Sequence, residues 1–147
     1  MTSILSKRTI KEEIPSFIKA LMKPEAYPHY VKEVKLLETH ISWILLTGKY
    51  AYKIKKSINL GFFVATDIKH RLMFCEEELR LNRRLSPKLY IGLVSILGPP
   101  QLAKISPQDF KTNESINDLS QSQIIEVAVK MHEFPQSQLL NNYIKEN

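Results

Sequence analysis

The sequence predicts an α+β fold: one five-stranded antiparallel sheet with a single long helix on its face, preceded by an N-terminal helix. Three observations predict it. Apolar residues between positions 67 and 85 recur at helical spacing. Residues 34–56 break into three short apolar segments joined by tight turns, which only antiparallel pairing can connect. Two further apolar runs, Tyr90–Leu97 and Ile124–Met131, follow the helix and are bounded by Gly, Pro and polar clusters.

The first element is a helix over residues 10–22. Ile10, Ile14, Phe17, Ile18, Leu21 and Met22 share a face, Pro15 fits the first turn, and Lys23-Pro24 stops it. Residues 26–30 form an extended connector. Val34–Thr39 reads as a strand, and Trp43–Leu46 as a buried one. Thr47-Gly48-Lys49 is a turn. Tyr50–Lys56 alternates, with Tyr52 and Ile54 on one face and Ala51, Lys53 and Lys55 on the other. Thr66 or Asp67 caps the long helix, whose buried stripe is Ile68, Leu72, Cys75, Leu79 and Asn82. Residues 98–123 are polar and proline-rich, and read as a long surface loop or a hairpin with an irregular tip. After the last strand, His132–Pro135 breaks the pattern and Leu139–Ile144 begins another helix.

Composition narrows the class. The chain has 147 residues, 44% of them hydrophobic, enough for one domain with a core. A lone cysteine, Cys75, excludes an intramolecular disulfide. The first residues lack a signal-peptide core, and no apolar run is long enough to span a bilayer, so the expected location is the cytoplasm. A net charge of +6 favours anionic partners: nucleotide phosphates, nucleic acid or an anionic surface. His29, His40, His70 and His132 have no metal-ligand spacing with Cys75, and no serine sits in a nucleophile elbow.

Two segments carry candidate chemistry. Ala51 and Lys53 share a strand face, so a small residue leaves room for a flat base beside a cation. A lysine on such a strand can equally face water. Three consecutive glutamates, Glu76 to Glu78, cover most of a helical turn. Glu78 flanks the buried stripe and can pair with Lys53, while Glu76 and Glu77 suit surface pairs such as Glu76–Arg80. The turn between the first two strands has no glycine to cradle a phosphate. It offers instead the hydroxyls of Thr39 and Ser42 and the imidazole of His40, which an ordinary hairpin turn would also accommodate. Arg80, Arg83, Arg84 and Lys88 read as cations complementing a helix C-terminus rather than as a nucleic-acid surface.

Five segments occur in order: residues 38–43 (ETHISW), 51–56 (AYKIKK), 59–62 (NLGF), 75–85 (CEEELRLNRRL) and 87–90 (PKLY). With Val127–Met131 and Phe134-Pro135, they resemble the N-terminal part of an aminoglycoside-phosphotransferase-like bacterial family. Longer members of that family carry a second, P-loop ATPase domain. The likeness runs from about Tyr27 to Leu140. Ser57 stands where the family usually has proline, residues 62–66 replace a more acidic stretch, and residues 101–123 match poorly.

The resemblance implies a protein-kinase-like N-lobe over residues 27–135, a helical extension over 1–26, and the start of a truncated C-lobe over 136–147. Lys53 would contact phosphates, with Lys55 as the alternative, and Glu78 would be its helix partner. Ala51 and the hinge Met131–Phe134 would border adenine, and ATP with magnesium is the implied cofactor. The only aspartates are Asp67, Asp109 and Asp118, and none lies in a catalytic-loop or magnesium-turn context. The expected function is a truncated kinase-like protein with at most residual ATP binding and no independent phosphotransfer. The alternatives are an interaction module that pairs with a separate lobe or with itself, and a small basic nucleic-acid-binding protein.

Overall fold

The computed structural model describes residues 14–57, 66–109 and 123–133. Helix α1 spans Ser16–Leu21, strands β1 to β3 span Lys35–Glu38, Ser42–Leu46 and Tyr50–Lys55, and helix α2 spans Ile68–Leu85. Strands β4 to β6 follow at Tyr90–Leu97, Lys104–Asp109 and Ile124–His132, with short 3-10 helices at Pro24–Ala26 and Pro100–Leu102. The sheet order is β1-β2-β3-β6-β4-β5, with every neighbouring pair antiparallel. The last strand therefore lies in the middle. Its run Val127–Val129 is buried on both faces, which explains why it is apolar without alternation.

Among the described residues the sheet has six strands, not the five that the sequence predicts. The extra one, β5, lies in the stretch 98–123, which reads as a long surface loop or a hairpin with an irregular tip. It forms because Ala103 and Ile105 reach the core and β4 supplies a pairing edge. Pro107 is tolerated because β5 is an edge strand, where an absent N–H breaks no ladder. Helix α1 also starts later than its apolar pattern suggests. Pro15 is its N-cap, with ψ of 150°, and Ile14 before it is kept out of the helix because the residue preceding a proline disfavours helical conformation. Asp67, rather than Thr66, caps α2. The expected turns at residues 10–13, the segment 59–62, the hinge end at Phe134 and the helix at 139–144 lie outside the described residues.

Two apolar layers cover the sheet. On one face Ile18 and Leu21 of α1, with Tyr27 and Val31 of the connector, meet Leu45, Tyr52, Ile54 and Ile96. The Tyr27 hydroxyl donates to the Leu21 carbonyl at 2.7 Å, so this buried phenol is satisfied. On the other face α2 packs against β6 and β4, with Leu72 and Cys75 against Leu93, Val127 and Val129. Each fully buried Ile or Leu contributes about 2 kcal/mol through removal from water. No helix among the described residues is long and apolar enough to cross a membrane.

Candidate functional site

The face of β3 that looks toward α2 is where the candidate residues meet. Tyr52 and Ile54 enter the core under α1, so the pleat turns Ala51, Lys53 and Lys55 the opposite way. Register sets their neighbours. Ala51 stands between Leu46 and Met131, Lys53 between Ile44 and Val129, and Lys55 opposite Ser42. The β2–β3 turn that fixes this register is closed by Gly48 at φ 100°, a conformation open to glycine. Thr47 Oγ1 reinforces it by donating to the Tyr50 carbonyl at 2.7 Å.

Helix α2 brings the carboxylate. Cys75 is fully buried, so Glu78, one turn on, sits at the edge of the buried stripe. Its Oε1 lies 3.3 Å from Lys53 Nζ and 2.5 Å from Lys55 Nζ. Both lysines thus converge on one oxygen. Burial raises the pKa of this carboxyl, but the hydrogen bond from Lys55 and the charges of both lysines outweigh that, and its pKa falls below the ordinary value. The two lysines differ in access: the Lys55 side chain is 6% exposed and that of Lys53 is 25%. Glu78 Oε2 and Ser42 Oγ are buried with no hydrogen-bond partner among the described residues.

Two other groups border the cluster. Burial pushes the Cys75 thiol up to about 12, so it is a core residue rather than a nucleophile. Burial also raises Tyr90, with the Glu78 charge adding and a hydrogen bond with Asn82 opposing. Met131 is half-buried against the α2-side layer, beside Tyr90 and Ala51.

The β1–β2 turn residues take different positions. Thr39 Oγ1 accepts from the amides of Ile41 and Ser42, at 3.3 and 3.0 Å, and so shapes the turn itself. His40 is exposed at the tip, and Ser42 is buried at the start of β2. Glu77, not Glu76, pairs with Arg80, at 2.5 Å. Arg83 donates to the Ile91 carbonyl. Asp67 accepts from the His70 amide at 2.8 Å as the α2 cap.

Sequence reasoning missed two buried ion pairs. Lys56 bonds to Glu38 and lies 4.6 Å from the Trp43 ring centroid, on the α1 side of the sheet. Arg71 Nε donates to Glu126 Oε2 at 2.8 Å, joining α2 to β6. Burial lifts Glu126 to about 7 despite the Arg71 charge, the Val127 amide and the Arg71 hydrogen bond. The signal for this pair was present: a glutamate inside the apolar run Ile124–Met131 has to find a partner if the strand is buried. Comparison of the chain with protein-family models, with curated proteins and with solved structures finds no match.

Proposed function

We propose that this chain is a kinase-like nucleotide-binding lobe, of the aminoglycoside-phosphotransferase-like kind, that holds phosphates without carrying out phosphotransfer by itself. The observation that carries the reading is the contact of Lys53, on the third strand, with Glu78, on the helix that follows. In protein kinases a third-strand lysine, held by a helix glutamate, cradles nucleotide phosphates. Two neighbours support it. Ala51 is a small side chain on the same face, and Met131 lies across from it as an apolar neighbour for a base. Along β3, Ala51 and Lys53 are separated by about 7 Å, so base and phosphate ends can share one strand face.

Transfer itself needs a catalytic-base aspartate and metal-binding groups near the γ-phosphate. Asp67 is engaged as a helix cap, and Asp109 and Asp118 have no such context in the sequence. Calorimetric titration with a non-hydrolysable ATP analogue tests the reading. The expected outcome is a dissociation constant of about 1 mM for the wild type and at least tenfold weaker binding for Lys53→Ala. Absence of wild-type binding overturns the nucleotide reading. Turnover of ATP with magnesium by the isolated chain overturns the restriction to binding.

A second reading, an interaction module, is favoured by the outer side of α2. Met73, Leu81 and Leu85 are 60%, 46% and 84% exposed. Concentration-dependent association in sedimentation velocity, reduced by Leu81→Glu with Leu85→Glu, is the expected result. A strict monomer that captures no separate lobe counts against it.

A further inference from the structure

Lys53 and Lys55 reach the same oxygen of Glu78, at 3.3 and 2.5 Å. Two cations on one carboxylate leave the cluster with a surplus positive charge, and the difference in access decides where that surplus can be used. Lys55 is almost enclosed, and its nearest partner is already at hydrogen-bond distance. A ligand phosphate would have to displace Glu78 and the strand neighbours to touch it. Lys53 is the more exposed of the two and its contact is the longer one, so it can leave the carboxylate without uncovering a buried charge.

The surroundings of Lys55 agree. An ammonium has three donors. One goes to Glu78 Oε1, and two buried oxygens lack a partner: Ser42 Oγ, directly across the β2–β3 ladder, and Glu78 Oε2. Both oxygens are closed to solvent, and so to a ligand, and neither accepts from Lys55, so the lock is the Oε1 contact itself.

We infer that the two lysines play separate parts at one carboxylate. Lys55 is a positioning residue that locks Glu78, and with it α2, against β3, while Lys53 is the exchanging cation that trades Glu78 for a ligand phosphate. The part played by Lys53 rests on the nucleotide reading above for its ligand, but the locking role of Lys55 does not. The site would then recognise the polyphosphate of a nucleotide through Lys53 alone. Losing either lysine would weaken binding for different reasons.

The test uses the whole 147-residue chain. Lysine acylation followed by mass spectrometry, with and without ATP or inorganic tripolyphosphate, reads each amine. Hydrogen exchange of α2 amides reads the lock. Lys53 is expected to react faster than Lys55 in the free protein, and to be protected about fivefold or more near saturating ligand. Lys55 should stay slow in both states. Lys55→Gln is expected to accelerate exchange around Glu78 and Lys55→Arg to restore protection, whereas Lys53→Gln should leave α2 exchange unchanged while weakening ATP about tenfold or more. Protection of Lys55 instead of Lys53 by ligand overturns the division, as does loosening of α2 by Lys53→Gln to the same extent as by Lys55→Gln. If the wild type binds neither ATP nor tripolyphosphate, the nucleotide reading and the exchange role of Lys53 fall together, and hydrogen exchange alone decides the lock. If Lys55→Gln does not fold, Lys55→Arg decides: retained α2 protection supports a cationic lock, and its loss overturns it.

Discussion

Helix α2 is tied to the sheet by two carboxylate–cation contacts of opposite design. Near its middle, Glu78 faces two lysines from β3, and its pKa is held below the ordinary value. Nearer its start, Arg71 meets Glu126 of β6, which burial lifts to about 7. The Arg71–Glu126 pair is deeply buried at both ends, whereas the first cluster keeps Lys53 partly open. The comparison separates two uses of buried charge. A single guanidinium in an enclosed place compensates a carboxylate only in part, and the pair acts as a staple between helix and strand. Two ammoniums around one carboxylate keep it ionised and leave a cation to spare at the more open side, which is what a phosphate needs.

The largest effect should come from breaking the staple. Arg71→Leu is expected to lower unfolding stability by about 3 kcal/mol at pH 8, where Glu126 must either stay charged without its guanidinium or take up a proton from alkaline solution. The loss should shrink at pH 5, where the carboxyl can take up a proton. Urea unfolding at the two pH values measures both. An equal loss at pH 5 and pH 8 would remove the electrostatic account of the pair.

Next in size is the contrast between the lysines. Lys55→Ala, which removes an enclosed donor from Glu78, should cost about 2 kcal/mol, and Lys53→Ala less than about 1 kcal/mol. Denaturant midpoints of the two variants give the ranking, and a reversed order would break the comparison.

The pH profile distinguishes the two carboxylates by sign. Glu126 binds its proton more tightly in the folded chain than its ordinary value of 4.5. Its contribution is therefore fully present below about 4.5 and is lost as pH rises through about 7. Glu78 has a lowered pKa, so its contribution is present above its ordinary value and is lost as pH falls through the folded one. Glu126→Gln should flatten stability between pH 5 and 7, and Glu78→Gln should leave that window alone and flatten the acid limb. A wild-type profile already flat between pH 5 and 7 would contradict the raised Glu126 value.

The smallest effect concerns the cap that starts the helix bearing both contacts. Asp67→Ala should raise hydrogen exchange over residues 68–71 while leaving the amides around Glu78 protected. Uniform loosening of α2 would mean that Glu78 does not anchor the helix independently of its N-terminus.

Much of this arrangement was legible in the chain itself, because it depends on local periodicity. Alternation over residues 50–55 put Ala51, Lys53 and Lys55 on one face, and helical spacing from Cys75 put Glu78 at the stripe edge. The Asp67 cap and the three-strand meander came from short-range chemistry too. What lay beyond the sequence depends on which distant segments meet. Strand β5 exists because β4 lends it an edge, against the preference of its Pro and Ser residues. The central place of β6 buries Glu126 beside Arg71, which lies 55 positions earlier. Local periodicity specified which residues share a face. Long-range packing set how deep each lies and how many cations surround each carboxylate. Because solvation and Coulomb energies follow burial and distance, those decisions set the charge of Glu78 and Glu126 and the different access of Lys53 and Lys55.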